Sequence, residues 1–199
     1  MTDHLPTGWE VLDAALDALA AVTSGVGGQD WELPTPCEQW NVAQVLQHAV
    51  GDQAAWAAAV TGGPGPAENP FAPSGQLRDA PAAMVAQARR AAAGAWQGVR
   101  PDSGPVQTPL PVGVLPAAVA AGACALDAGV HAWDLAAATG QPSPLTDPLA
   151  RTLHDAATQV VEQLRGFAYG PALQPEPGDS EAAALLKYLG RRPDWKAAG

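Results

Sequence analysis

The residues of this chain most able to do chemistry are Asp127 and His131, together with His48 far upstream. On an α-helix, positions i and i+4 lie one turn apart on the same face, so Asp127 and His131 can point towards one ion. His48 can supply a third ligand from another helix. A carboxylate and two imidazoles leave an open coordination position, which suits a catalytic divalent ion, with zinc favoured over nickel or another metal. The spacing therefore predicts a metal site.

The same residues also allow a purely structural interpretation, because short motifs often arise by chance and an aspartate–histidine pair occurs on many solvated helix faces. Asp52 lies one turn after His48 and is interpreted as a catalytic proton-transfer group or as a support for a ligand. Trp133 and Asp134 follow His131 closely and are interpreted as cofactor-binding residues. Asp134 is alternatively a rival ligand, an acceptor for a ligand's hydrogen bond or a structural residue.

The composition limits the class of protein. The chain has 199 residues, a net charge of −10, 21 glycines and 20 prolines. The length suits a single domain over 1–199 with one buried core. The acidic excess repels nucleic-acid phosphates and anionic membrane surfaces, so we expect neither as a partner.

The location and the cysteines follow from similar arguments. The N-terminus lacks the features of a signal peptide, and apolar runs are too short for a membrane span, so we expect a cytoplasmic protein. Cys37 and Cys124 are then free thiols. Cys124 is interpreted as a buried core residue. Cys37 is not expected to be a nucleophile, because no histidine or lysine lies near it in sequence to lower its pKa.

Apolar residues recur with helical spacing near the N-terminus and after residue 41. The first pattern predicts a helix from Thr7 to about Val26, with Thr7 as N-cap and Glu10 completing a capping box. Asn41 is predicted to cap the second helix, which carries His48.

The rest of the chain alternates helices with loops rich in proline and glycine. Loops are predicted over 61–80, which could be a lid or an interface, and over 101–116. No convincing alternating strand pattern appears, so the elements predict an all-α bundle. The remaining predicted helices begin at Pro81, at Pro116 (ending at Thr139), at Pro148 (ending before Gly170) and at Ser180.

Three separated segments carry a resemblance to a known family. They are PTPCEQWNV at 34–42 leading to His48, DAGVHAWDL at 127–135 followed by ATG, and LGRRPDW at 189–195. In this order and at these separations, the chain resembles the maleylpyruvate isomerase N-terminal-domain proteins of the DinB-like, mycothiol-dependent superfamily. It is most similar to the stand-alone, single-domain branch with a Gly-Arg-x-Pro-x-Trp tail.

The resemblance implies a DinB-like four-helix bundle with additional short helices and a divalent metal held by His48, Asp127 and His131. The isomerase carries glutamate at the position of Asp127, and a shorter carboxylate still reaches. The recurrence of Cys37 in the family implies a packing role for that residue. The resemblance also implies a metal that lowers the pKa of a bound thiol, so that the thiolate attacks an electrophilic carbon. Mycothiol or a similar low-molecular-weight thiol is the implied cosubstrate. We expect this chain to be too short for the appended domain of the larger isomerase form, which weakens maleylpyruvate as the expected substrate.

Two classes of function are consistent with these observations. The first is a metal-dependent, thiol-using transferase or isomerase acting on a small electrophilic molecule. The second is a non-catalytic small-molecule-binding protein, or a thiol-independent metal-dependent biosynthetic enzyme on the same bundle. Either class is compatible with a monomer or a homodimer.

Arg191 and Arg192 are interpreted as salt-bridging residues, with attraction of an anionic substrate or thiol as the alternative.

Overall fold

The computed structural model describes residues 6–197, and helices dominate that part of the chain. Short 3₁₀ helices lie at Gly28–Glu32 and Val161–Leu164, and the two-residue strands β1 (Val106–Gln107) and β2 (Val114–Leu115) pair antiparallel. The dominance of helices, with strands of only two residues each, confirms the all-α prediction. The α-helices are α1 (Glu10–Ser24), α2 (Val42–Thr61), α3 (Pro81–Trp96), α4 (Ala117–Thr139), α5 (Asp147–Val160) and α6 (Glu181–Tyr188).

The first four helices form the predicted four-helix bundle. Helix α1 packs against α3 and α4, and α2 packs against the same two helices, so the four enclose a common core. Helix α5 packs on the outside of α4, and α6 packs on α5. Because α1, α2 and α5 all contact it, α4 is buried on nearly every side. Polar residues on α4 must therefore find partners inside the protein.

The beginnings of the first two helices differ in how well the sequence predicts them. Asn41 forms a complete capping box on α2, exchanging hydrogen bonds of 2.9 and 3.0 Å with Gln44. The predicted capping box at Thr7 is wrong, because the N-cap of α1 is Trp9. The Thr7 hydroxyl accepts a hydrogen bond from the Trp9 amide instead, which is a local turn that competes with helix capping. Glu10 is then the first helical residue and cannot act as the box partner.

Two other segments differ from the sequence predictions. The loop 101–116 contains the β1–β2 pair, whose strands are too short to show an alternating pattern. Helix α5 ends at Val160, earlier than predicted, and a 3₁₀ turn follows it.

None of the helices within residues 6–197 combines the length and the hydropathy that a membrane span requires. The residues on which the absence of a signal peptide was predicted lie mostly outside the described range.

Candidate metal centre

Helices α2 and α4 bring the three predicted ligands together. His48 lies on α2, while Asp127 and His131 lie one turn apart on α4. The Nε2 atoms of His48 and His131 are 3.2 and 3.4 Å from the same oxygen of Asp127, Oδ1. The donor atoms of the three residues all lie within 4.8 Å of one another. The structure therefore brings together the three residues that the sequence predicted as ligands.

The outer nitrogen of each imidazole is held by a hydrogen-bond acceptor. His48 Nδ1 is 3.0 Å from the carbonyl oxygen of Pro70, and His131 Nδ1 is 2.9 Å from Oδ2 of Asp134. A carbonyl or carboxylate oxygen accepts, so both Nδ1 atoms donate. This leaves Nε2 of each neutral ring as the atom with a lone pair, directed towards Asp127. Such outer partners are typical of metal-binding histidines, whose orientation they fix.

One atom at the centre of the cluster lacks a partner. Asp127 Oδ2 is buried and has no hydrogen bond within the described part of the chain. Leaving a buried carboxylate oxygen unpaired is costly, whereas a cation beside it would satisfy it. Together with two imidazole nitrogens, this oxygen completes a donor set that fits zinc or a similar divalent ion.

A second group of possible ligands, Cys37, His131 and Asp134, is also close enough to hold an ion. Both Asp134 oxygens, however, already accept charge-assisted hydrogen bonds from Arg191, at 2.9 and 2.8 Å. The proton of His131 Nδ1 also points at this group. His48, Asp127 and His131 are therefore the better candidate set of metal ligands.

The charges of the cluster are strongly coupled. Burial disfavours the ionised carboxyl of Asp127, but the facing rings of His131 and His48 outweigh this effect and hold its pKa well below the ordinary value. Burial also opposes the charged form of His131, yet Asp127 and Asp134 raise the pKa of His131 well above its ordinary value. A proton and a metal ion are therefore alternative occupants of His131 Nε2.

The loop 61–80 contributes to the site through its backbone. It lies along α2, where Gln44 and Gln47 hydrogen-bond its carbonyls and its Gly75 amide. Gly51 allows the close approach, since a Cβ at that position would lie 3.1 Å from the Pro70 side chain. The loop can therefore place the Pro70 carbonyl against His48.

Behind His131 lies a buried ion pair that joins the C-terminal segment to α4. Arg191 donates from Nε and Nη2 to the two oxygens of Asp134, whose side chain is fully buried. Burial alone would raise the pKa of Asp134, but Arg191 and His131 hold it well below its usual value. The salt-bridging interpretation of Arg191 is therefore confirmed, while Arg192 pairs with Asp194 at the surface.

Cys37 packs against the hydrophobic core, as expected, and its thiol also lies in this cluster. Its Sγ is 3.2 Å from Asp134 Oδ2, 3.4 Å from Arg191 Nη2 and 3.9 Å from His131 Nδ1. The sequence did not indicate these contacts, because all three partners are distant from Cys37 along the chain. Thr35 holds the loop in place by accepting from the Cys37 amide and donating to the Trp40 carbonyl. Cys124 is buried as expected, donating to Gln53.

A tight turn after α6 places Arg191. Gly190 has a φ of 80°, which favours glycine, and a Cβ there would lie 2.9 Å from the Pro171 carbonyl oxygen. The Arg191 amide then bonds back to the carbonyl of Leu186. The side chain can consequently reach Asp134 on α4.

Replacing Arg191 with alanine should lower the free energy of unfolding by about 3 kcal/mol, because it leaves the Asp134 carboxylate buried without its main partner. The matched control is Arg192→Ala, whose side chain is 67% exposed and should change stability by less than about 0.5 kcal/mol. Urea unfolding followed by circular dichroism measures both. Equal effects of the two substitutions would contradict a stabilising role for the buried pair.

The metal-ligand cluster opens into a cavity of about 560 Å³. Trp40, Trp56 and Asp52 line it, and burial together with the charge of Asp127 raises the pKa of Asp52 well above its ordinary value. Trp133 instead belongs to the hydrophobic core and is absent from the described lining of the cavity. Asp134 contacts Nδ1 of His131, whereas Nε2 of the same ring faces Asp127.

Comparison with known proteins gives one family and two relatives. The model of the mycothiol maleylpyruvate isomerase N-terminal domain matches residues 12–136, which include every candidate ligand but not Arg191. The uncharacterized proteins MT0763 and Rv0738, from two strains of Mycobacterium tuberculosis, are each 36% identical over 185 residues. The match covers 89% of this chain and 93% of each relative. No solved structure matches the chain significantly.

Proposed function

We propose that this chain, which belongs to the mycothiol maleylpyruvate isomerase N-terminal domain family, is a metal-dependent transferase or isomerase that uses a low-molecular-weight thiol. Its substrate is a small electrophilic molecule, and mycothiol is the thiol that the family suggests. His48, Asp127 and His131 hold the ion, with zinc favoured over nickel. The chain acts as a single domain over 1–199, as a monomer or homodimer in the cytoplasm, where a reducing environment keeps such thiols available.

One observation carries the proposal. Two histidines whose Nδ1 atoms are held by hydrogen bonds direct their Nε2 atoms towards an aspartate that has an unpaired buried oxygen. Three protein donors beside a cavity leave room for a further ligand, as in catalytic metal sites. A divalent ion in such a site lowers the pKa of a bound thiol and supplies a thiolate at neutral pH.

The remaining residues position and protect the site. Pro70 and Asp134 hold the two imidazole rings, and Arg191 holds Asp134. Asp52 lies in the cavity wall one turn from His48, where its carboxyl oxygen can accept the proton that a thiol loses. Trp40 packs against the His48 ring, with the ring centroids 4.6 Å apart, and helps to keep water away from that ring.

A thiol should produce a sulfur-to-metal charge-transfer band in the cobalt-substituted protein, because coordination favours the thiolate. Mycothiol or a simple thiol is added and the absorption spectrum is recorded. The methyl thioether of the same thiol is the matched ligand control, since it has no proton to lose and should give no such band. Asp127→Ala should abolish the band, whereas Asp155→Ala, an exposed aspartate on α5, should leave it intact.

A metal-replete protein whose spectrum does not respond to thiols would contradict the transferase proposal. That result would favour the alternative class, a binding protein or a thiol-independent enzyme on the same bundle. Loss of the band in Asp155→Ala would instead mean that the cobalt lies elsewhere.

The role proposed for Asp52 has a separate test. Asp52→Asn should keep the metal and the final charge-transfer band, but slow the appearance of the band after mixing with thiol by about 10²-fold, the usual contribution of a general base. Stopped-flow absorption measures this rate. An unchanged rate would mean that Asp52 lines the cavity but does not accept the thiol proton.

A further inference from the structure

Two exposed aromatic side chains face each other at the mouth of the metal-site cavity. Phe71 and Phe167 are 52% and 70% exposed, and they are two of four large hydrophobic residues exposed within residues 6–197. Their ring centroids are 5.5 Å apart, and Phe71 also meets the His48 ring edge-to-face at 5.4 Å. Both line the cavity. We call Phe71 and Phe167 the aromatic rim.

The rim residues come from two separate loops whose backbones hold them in place. The Phe71 amide donates to the Asn69 side chain in the loop 61–80, and the Phe167 amide donates to the Leu164 carbonyl after the second 3₁₀ turn. Neither ring contributes to the buried core. Exposed apolar rings beside a cavity are typical of a ligand-binding surface, because a bound ligand buries the apolar area that folding leaves in water.

The walls and charges of the cavity define what can bind there. Leu126, Val130, Val160 and Leu164 line it with apolar surface beyond the metal ligands. The acidic groups in its wall are Glu38, Asp52 and Asp127. Apart from the two histidines, the one cation among the described lining residues is Arg191, which is already neutralised by its two hydrogen bonds to Asp134.

A ligand that carries negative charge away from the metal would therefore meet carboxylates and a neutralised arginine. An uncharged aromatic molecule would contact apolar walls and the aromatic rim, where rings stack favourably in offset or edge-to-face arrangements. The volume of about 560 Å³ lies within the range of small-molecule sites.

We propose that the cavity binds an uncharged aromatic molecule against the aromatic rim of Phe71 and Phe167, and that this molecule is the electrophile attacked by the thiol. The binding claim stands alone, whereas the chemical step rests on the proposed function. With an aryl halide, the sulfur–carbon bond forms, the carbon–halogen bond breaks and the halogen leaves as halide with the electron pair. The thiol proton passes to Asp52 and from there to solvent, and the step requires no oxidant or reductant.

The binding claim is tested with two fluorescent probes that differ by one charged group, N-phenylnaphthylamine and anilinonaphthalenesulfonate. The uncharged amine should bind to the full chain about tenfold or more tightly than the sulfonate, with or without zinc, because the acidic wall disfavours the anion. Phe71→Ala and Phe167→Ala should each raise the dissociation constant of the amine by about three- to tenfold. Val114→Ala, an exposed apolar residue outside the cavity, is the matched control and should change nothing.

Equal affinity for the two probes, or unchanged binding after both rim substitutions, would overturn the inference. An equal loss in Val114→Ala would overturn it as well, because binding would then depend on exposed apolar surface in general.

A second measurement separates this inference from the proposed function. Zinc-loaded protein with thiol should release chloride from uncharged chlorodinitrobenzene faster than from anionic chlorodinitrobenzoate, and the rim substitutions should raise KM for the former. Selective probe binding without chloride release would retain the aromatic site and refute the thiol-transfer function. Release at equal rates from both compounds would retain the function and refute the charge preference.

Discussion

Leu46→Asp on α2 and Val160→Asp on α5 should each lower the free energy of unfolding by about 4 kcal/mol. Leu46 is completely buried and Val160 is 3% exposed, both within the hydrophobic core, and Val160 also borders the apolar part of the cavity wall. Each substitution removes packing and places a carboxylate without a partner among apolar side chains, so the aspartate must either remain charged at high cost or take up a proton. Urea unfolding followed by helical circular dichroism measures the loss.

Gln159→Asp provides a matched control next to Val160. Its side chain is exposed on the same helix, so the same new charge should cost about 1 kcal/mol or less, mostly from the unfavourable charge near a helix C-terminus. Full retention of stability in both Leu46→Asp and Val160→Asp would mean that the core helices have been assigned the wrong faces.

These core positions could be predicted because helical apolar spacing is a local signal. The second helix and its Asn41 cap follow from adjacent residues, and so does the end of α4 at Gly140, which has a φ of 69°. Local signals also compete with each other. Thr7 and Glu10 have the spacing of a capping box, yet the Thr7 hydroxyl bonds to Trp9 and the helix starts later.

The candidate site was only partly predictable, because local sequence signals do not report contacts between residues that are distant along the chain. Asp127 and His131 are one turn apart, so helix geometry alone places them on one face. Cys37 is separated from Asp134 by 97 residues and from Arg191 by 154. Their contact depends on the packing of a loop and a C-terminal turn against α4. The acceptor for His48 is the backbone carbonyl of Pro70, an atom that every residue carries and that has no sequence signature.

His48→Ala should reduce the bound divalent metal from about one ion per chain to near zero, because two ligands on one helix hold an ion far less tightly than three converging from two helices. The helical circular dichroism should remain largely intact, since packing between helices and not the ion carries most of the fold. Metal is measured by elemental analysis after purification without added metal and again after incubation with zinc and desalting.

His154→Ala is the matched control for this loss. His154 lies on α5 and stacks on Tyr188, away from the candidate centre, so its removal should leave the metal content unchanged. His131→Ala should reproduce the loss seen in His48→Ala, because both rings point Nε2 at the same Asp127 oxygen. Full metal occupancy in either of these two variants would remove that residue from the ligand set. Occupancy that falls in His154→Ala instead would place the ion on α5 beside a residue that does not line the cavity proposed for the thiol chemistry.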